Sequence, residues 1–433
     1  MSILPNYKVR DHCRLCNSPD LAQGIELQPT PPANAFLAVE MLEKEEYRYP
    51  LRLCVCMSCH HAQLIDIVDP EVLFGDYRYM SGISPVFVKH LSILATELIG
   101  SSSKSAPFVV EIGSNDGTLI DFFKKCGASV LGVEPSERLA NYAIENGRPT
   151  INTFFGSKCA TSIVEKFGLA DIVCANNVLA HIDDLQDVFS GVKLLLDDDG
   201  IFVFEVAYLV DLVERGLFDT IYHEHLSYHS VTPMQRFVET FGLRLFAAKR
   251  INTQGGSIRF YIEHETGTRP IDGSVEELVS LETQLGLDGL QPYDELAGRI
   301  SSAGSALRER IDHYRNNNKR IAGFGAPAKL TTLLHEFRIS GDSIAFVAED
   351  NEFKVGLFTP GLHVPIHGPE SLYEQDIDIV VVFAWNFAAS IIERHRTLTD
   401  RGVVFVIPLP NLIEVNRDNV DTYLQAHSAG PVR

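Results

Sequence analysis

Phe108-Val109-Val110-Glu111-Ile112-Gly113-Ser114-Asn115-Asp116-Gly117 passes from an almost unbroken apolar run into a turn of glycines and small polar residues. Such a run predicts a buried strand, and the glycines let the backbone turn sharply and approach a ligand closely. A helix is expected over Thr118–Lys125 and a second strand over Ser129–Val133, ending at Glu134. The alternation continues with a helix at 136–146, a strand at 171–175, a helix at 185–196 and a strand at 201–206. Apolar strands separated by amphipathic helices indicate a parallel sheet covered on both faces, so the fold class is α/β. Residues 243–249 and 256–263 read as a strand pair closing that sheet.

A nucleotide cofactor would lie across the carboxyl ends of these strands. Glu134 stands about 20 residues beyond the turn, where a carboxylate can accept hydrogen bonds from ribose hydroxyls. The turn lacks the G-x-G-x-x-G form, and Asn115-Asp116 puts an acid where a pyrophosphate would sit. S-adenosylmethionine has no phosphate and carries a positive sulfonium, so it suits this turn better than NAD, the main rival. Glu111, Gly113, Asn115, Asp116, Gly117 and Glu134 are therefore the candidate cofactor residues. Asn176 and Asn177, after the next strand, are placed near the adenine or methionine end. A plain strand-terminal turn would read the same at Asn176-Asn177.

Outside this domain the chain divides into a short-strand region, residues 1–75, and a second α/β lobe, residues 271–433, flanking a central domain at 76–270. Residues 84–99 read as a helix, and 275–317 as strongly helical, able to link the two lobes. Strands at 320–324, 344–348, 377–382 and 403–407 mark the second alternation. Before residue 75, Pro29, Pro31 and Pro32 prevent any long helix. Five of the eight cysteines lie there. Cys13-x-x-Cys16 and Cys56-x-x-Cys59 form two knuckles that match a closed four-thiolate structural zinc site. Cys54 has the wrong spacing for a knuckle, and His60 and His61 are expected to be bystanders.

The 433 residues carry a net charge of −20, which repels phosphate backbones and argues against a nucleic-acid partner. The apolar stretch at 377–384 is too short to span a bilayer, and residues 1–10 lack the apolar run of a secretory signal. A soluble cytoplasmic protein with no membrane partner is the expectation. The oligomeric state is left open, a monomer included.

Tyr222-His223-Glu224-His225 is the densest acid–base cluster, and a histidine beside a carboxylate suits general-base work near neutral pH. His181 also follows a sheet strand and could reach the same cleft. In the second lobe, Gly323-Phe324-Gly325-Ala326-Pro327-Ala328-Lys329 is again a strand–turn–helix, whose amides and Lys329 could meet a diphosphate. Asp350-Asn351 and Trp385-Asn386 end later strands. Arg259, in the stretch 254–259, is a further phosphate candidate, against the alternative of a hairpin with a solvated arginine.

Taken together, the two knuckles, Tyr77-Arg78-Tyr79-Met80-Ser81, V-E-I-G-S-N-D-G at 110–117, Y-H-E-H at 222–225 and G-x-G-A-P-A-K at 323–329 resemble the deoxysugar C-methyltransferases. These act on thymidine-diphosphate-linked (TDP-linked) ketosugars in antibiotic sugar pathways. The resemblance runs over nearly the whole chain, with the motifs in the family's order. It implies a zinc-binding N-terminal module, a central class I methyltransferase domain and a C-terminal Rossmann-like domain helping to hold the nucleotide sugar. It also implies that His225 removes the C3 proton beside a C4 ketone, assisted by Tyr222 and Glu224. His181 and either Tyr77 or Tyr79 are implied near the sugar, and Gly325, Lys329, Asp350, Asn351, Arg259, Trp385 and Asn386 are the candidate substrate contacts. Methylation at C5 or at an oxygen, an NAD-linked oxidoreductase and a non-catalytic zinc protein are the alternatives.

Overall fold

A computed structural model describes residues 4–74, 80–253 and 255–427. The N-terminal region holds a two-stranded pair, β1 (Tyr7–Val9) with β5 (Asp66–Val68), and an antiparallel sheet of β2 (Leu21–Thr30), β3 (Tyr49–Cys56) and β4 (Ala62–Leu64). No long helix forms there among the described residues, in keeping with its prolines.

The central sheet comprises β6 (Phe108–Ile112), β7 (Ser129–Val133), β8 (Thr150–Ile151), β9 (Ala170–Asn176) and β10 (Leu196–Ala207), all parallel. The four-stranded N-terminal sheet is completed by β11 (Ser227–Tyr228), which pairs antiparallel with β4. β12 (Leu243–Ile251) and β13 (Ser257–His264) then close the central sheet as an antiparallel hairpin, giving the order β12-β13-β10-β9-β6-β7-β8. This reversed hairpin is the class I methyltransferase arrangement. It departs from the six-stranded order of the dinucleotide-binding sheet, which is mostly parallel.

The second lobe has β14 (Ile321–Phe324), β15 (Val347–Ala348), β16 (Ile366–His367), β17 (Ile379–Val382), β18 (Val404–Ile407) and β19 (Ile413–Val415). Their order, β16-β15-β14-β17-β18-β19, is parallel except for β19. One apolar core runs through all three parts, from Leu53 and Leu64 through Val206 and Tyr228 to Leu333 and Val381. The N-terminal region reaches the second lobe directly. Gln28 N–H donates to Glu336 Oε2 at 2.7 Å, and Leu37 and Phe358 exchange both backbone hydrogen bonds.

Two segments differ from the sequence reading. The helical stretch at 275–317 is two helices, Gly273–Gln284 and Gln291–Asn316. Gly286 takes φ +67° in the break, and Pro292 starts the second helix. The segment between 147 and 170, for which no element was expected, supplies β8 and the helix Ser157–Phe167. That strand has two residues and the helix buries only Ala160 and Ile163, too little apolar periodicity to announce either.

Candidate active site

At the carboxyl end of β6, Gly113 has φ +66°, and a Cβ there would meet Val178 Cγ2 at 2.4 Å. The glycine thus lets the segment after β9 press against the turn. Glu134 receives the Asn115 and Ser136 amides, each at 2.8 Å, which fixes its carboxylate across the turn. Burial pushes the Glu134 carboxyl up. Glu111 is buried, and burial together with Asp116 and Glu134 holds its carboxyl well above the usual range. Glu111 Oε2, Ser114 Oγ, Asn176 Nδ2 and Asn177 Nδ2 are shut off from solvent with no partner among the described residues. β6 and β9 are neighbours, so this set offers acceptors and donors on adjacent strand ends. It fits a ligand bearing both an amino and a carboxylate group, as the methionyl end of S-adenosylmethionine does.

Asp116 corrects one expectation. Its carboxylate accepts from Thr118 N (3.0 Å), Thr118 Oγ1 (2.7 Å) and Gly82 N (2.8 Å), so it braces the first residue of the helix and ties down the segment at 81–82. Asn115 Oδ1 likewise accepts from Ser81 N at 3.0 Å. These side chains shape the turn, and both oxygens of the Asp116 carboxylate are engaged within the protein. Gly117, at φ +75°, lies against Arg148.

The segment after Asn177 leads to the histidine cluster. His181 ends the turn Leu179–His181, and its ring stands edge-on to His225 at 5.0 Å between centroids. The Leu226 amide donates to the Ala180 carbonyl at 2.7 Å, holding the two segments together. His225 Nδ1 lies 2.8 Å from the Thr220 carbonyl and Nε2 lies 2.9 Å from the Tyr222 hydroxyl. A carbonyl can only accept, so Nδ1 carries the proton and Nε2 the lone pair, to which Tyr222 donates. Burial lowers His225 to about 4 and, with His225 beside it, His181 to about 3. Both imidazoles are neutral at physiological pH. Glu224 accepts from Asn34 Nδ2 at 3.2 Å, and its Oε2 has no partner among the described residues. Burial raises its carboxyl to about 7, against the pull of Asn34 and Lys354. Tyr77 and Tyr79 lie outside the described residues.

The second lobe presents its glycine turn to this loop. Gly325 has φ +87°, and a Cβ would meet Ala384 at 2.6 Å. Lys329 Nζ donates to Asn386 Oδ1 at 3.0 Å, sits 4.4 Å from the Trp385 ring centroid and lies 3.8 Å from Asp219 Oδ2. Asn351 Oδ1 accepts from the Phe353 amide at 3.0 Å. Asp350 turns outward to pair with Arg394 at 2.6 Å, which points it away from the role expected for it.

Arg259 is a second correction. It lies on β13, 2% exposed, paired with Glu205 at 2.9 Å and Glu97 at 3.1 Å. Two carboxylates already occupy its guanidinium, so no phosphate role remains for it.

Three residues went unremarked in the sequence. Glu349 accepts from Ala326 N at 2.5 Å and Asn351 N at 2.9 Å, repeating at the end of β15 what Glu134 does beyond β7. The signal was available: an acid 24 residues after Gly325, as Glu134 is 21 after Gly113. Lys354 donates to the Ala326 carbonyl at 2.8 Å and faces both Glu349 and Glu224. Asp219 is fully buried beside Lys329. No local spacing marks either of these.

In the N-terminal sheet, the ligand atoms of Cys13, Cys16, Cys56 and Cys59 all lie within 4.8 Å of one another. The Cys13–Cys59 and Cys16–Cys56 sulfurs are 3.6 and 3.5 Å apart. Thiolates at tetrahedral zinc stand about 3.8 Å apart, so the four fit that ion and leave no open position. Cys54 stays outside the cluster, and His61 turns to Ser227 Oγ at 3.3 Å.

Comparison with known proteins matches three families in succession. Residues 13–74 match one described as "Putative zinc binding domain", 91–248 a "Methyltransferase domain" and 252–410 a "C-methyltransferase C-terminal domain". The chain is 33% identical over 403 residues to C-methyltransferase NovU of Streptomyces niveus, covering 92% of this chain and 96% of that one. A ubiquinone biosynthesis O-methyltransferase of Actinobacillus pleuropneumoniae is 26% identical over 140 residues, 30% of this chain and 56% of that protein. Among solved structures, an S-adenosylmethionine-dependent methyltransferase from Clostridium acetobutylicum aligns with a TM-score of 0.34 at 12% identity, covering 46% of this chain and 96% of that one. Among the described residues no helix is long and apolar enough to cross a membrane.

Proposed function

Given that the chain belongs to the zinc-binding, S-adenosylmethionine-dependent C-methyltransferases, we propose that it methylates C3 of a TDP-linked 4-keto-deoxysugar, with His225 as the base. The observation that carries this reading is the Thr220–His225–Tyr222 arrangement. A neutral imidazole, its Nδ1–H held by a carbonyl, keeps its Nε2 lone pair beside a phenol and edge-on to His181, in the segment that follows β9.

A proton beside a ketone is acidic because the resulting carbanion delocalises as an enolate. His225 Nε2 accepts that proton, either directly after the sugar displaces Tyr222 or through the phenol oxygen as its own proton moves to Nε2. Tyr222, and Glu224 in the protonated form that burial favours, are the donors assigned to steady the ketone oxygen as charge develops there. S-adenosylmethionine, when bound, supplies the electrophilic methyl group. The protein's own contribution is to hold the two reactants in line and keep water out. Glu134 takes the cofactor ribose. Asn176, Asn177 and Glu111 take the polar groups of the cofactor.

Support for a nucleotide sugar comes from the second lobe. Lys329 and Lys354 are enclosed beside the Gly325 turn, a setting suited to a diphosphate, and Asn351, Trp385 and Asn386 line the adjoining strand ends. Glu349 repeats the ribose-binding geometry of Glu134 and is assigned to a hydroxyl of the nucleoside. The direct test is product analysis with a TDP-4-keto-deoxysugar. A new C-methyl signal with loss of the C3 ring proton is expected, together with cofactor-independent exchange of that proton in deuterated water. A methyl at C5 or on oxygen would replace this reading.

The depressed titration of His225 gives a further expected result. An imidazole near its ordinary value would lose base function below about pH 6.5. Lowered to about 4 by burial, His225 keeps kcat/KM level through pH 5, with an acid limb near 4. The stability sign is the same. Groups depressed on folding favour the folded state above their unfolded value, and that advantage is lost as pH falls through the folded one. The profile is therefore read alongside circular dichroism. An acid limb between 6 and 7 in fully folded protein, with activity rising toward higher pH, would remove His225 from the role, whereas a fall above about 7 belongs to Glu224, whose carboxyl burial raises to about 7.

A further inference from the structure

Two residues of the second lobe converge on one carboxylate of the central domain, and a third holds one of them. Asp219 lies in the short turn Phe218–Thr220 and is fully buried. Its Oδ2 accepts from Trp385 Nε1 at 2.7 Å and lies 3.8 Å from Lys329 Nζ. Asn386 in turn accepts from Lys329 at 3.0 Å. Asp219 Oδ1 has no partner among the described residues.

The next residue holds the base. The Thr220 carbonyl accepts from His225 Nδ1 at 2.8 Å and from the Tyr228 hydroxyl at 3.4 Å. On its far side, Thr332 Oγ1, from the helix Lys329–Glu336, donates to the Ile221 carbonyl at 2.9 Å. The second lobe therefore grips the chain immediately before and immediately after Thr220. We propose that Asp219 is a positioning residue: held by Trp385 and Lys329, it fixes the Thr220 carbonyl that keeps His225 in its Nδ1–H form, with the lone pair on Nε2. This rests on the reading of His225 as the base.

The chemistry requires such a hold. A neutral imidazole has two tautomers, and only the one with its lone pair on Nε2 faces Tyr222 as a base. A carbonyl that drifted would release Nδ1–H and let the other tautomer compete. Removing an orienting partner of a catalytic histidine leaves the ring in place and its tautomer wrong, at a large cost in turnover. Burial raises the Asp219 carboxyl while Lys329 and Trp385 oppose that rise, so the carboxylate depends on the second lobe for its charge. Filling of the nucleotide site around Lys329 would thereby be felt at the base.

The test compares Asp219→Asn and Asp219→Ala in the full-length zinc-loaded protein. Asparagine still offers an oxygen to Trp385 Nε1, so kcat should stay within about fivefold of the parent. Alanine should lower kcat by roughly 100-fold with no rise in KM for the sugar. In 15N-histidine spectra, the His225 signal, identified by its loss in His225→Asn, should change from a single Nδ1–H form to a mixture in the alanine variant. Should alanine prevent folding, Trp385→Phe, which removes the donor and keeps a smaller aromatic ring beside Lys329, should shift the tautomer the same way and lower kcat about tenfold. An unmoved tautomer, an unchanged kcat in alanine, or asparagine no better than alanine would overturn the proposal and leave Asp219 as an interlobe contact. Full turnover in His225→Asn would instead overturn the base reading, and the tautomer shift would still report whether Asp219 holds Thr220.

Discussion

Replacing His225 by asparagine should abolish methyl transfer while leaving both ligands bound. General-base catalysis contributes about 10²–10⁴-fold, and a base that must form a carbanion belongs at the upper end, so kcat should fall about 10³-fold or more. Asparagine is the informative substitution. Its amide can still donate to the Thr220 carbonyl, which now accepts from Nδ1 at 2.8 Å, so the loop keeps its anchor while the basic nitrogen is lost. Calorimetry with S-adenosylhomocysteine and with the TDP-sugar should give affinities within about threefold of the parent, since the variant removes a step and not a site. C3 proton exchange in deuterated water should vanish with turnover. Tyr222→Phe should be milder, about 100-fold, because it removes the hydrogen bond to Nε2 and the donor assigned to the ketone oxygen but leaves the base. A His225→Asn protein that turns over normally would end this assignment.

Removing zinc should have the other large effect, for a reason unrelated to zinc chemistry. A structural zinc site contributes on the order of 10 kcal/mol to the fold that binds it. Here that fold includes the loop that carries His225. β11 begins two residues after His225 and pairs with β4, and the Leu64 amide donates to the Leu226 carbonyl at 2.9 Å. β4 pairs with β3, which ends at Cys56. Chelation, or Cys56→Ser, should therefore lower Tm by more than about 10 °C and stop turnover, while S-adenosylhomocysteine still binds the central sheet. Cys54→Ser should retain the metal, because Cys54 lies outside the four-sulfur cluster. Loss of turnover with Tm unchanged would mean the ion takes part in the reaction. Full activity in metal-free protein would mean the loop needs no such support.

How far the sequence could be read follows from how local each feature is. β6 and β7 fall on the residues that their unbroken apolar runs marked, because a strand covered on both faces needs no partner to announce itself. The cysteine cluster was equally plain, since paired knuckles carry their own geometry. Arg259 was misread because Glu205 and Glu97 lie 54 and 162 positions away, and no spacing rule brings them to its guanidinium. Asp116 was misread in part because the amide of Gly82, 34 positions earlier, fills one of its oxygens. Asp219 is one of 57 acidic residues, distinguished only by Trp385 and Lys329 reaching it from another lobe. Reactive residues could be found by type. Which of them already had partners could not.

The pairing of β4 with β11 also sets a timetable for biosynthesis. Gln63 must find Ser227, 164 positions later in the chain. At about 5–20 residues per second, the edge of β4 leaves the ribosome roughly 8–30 s before the strand that covers it. Gln28 and Leu37 wait longer still, for Glu336 and Phe358. The N-terminal sheet is thus made before the strand that finishes it, with an open sheet edge in the interval. Such an edge invites pairing with other chains. Early zinc capture, by ordering β3 and its neighbours, gives β11 a formed partner as soon as it arrives, so yield of native protein during synthesis should follow metal supply more closely than the activity of finished enzyme does.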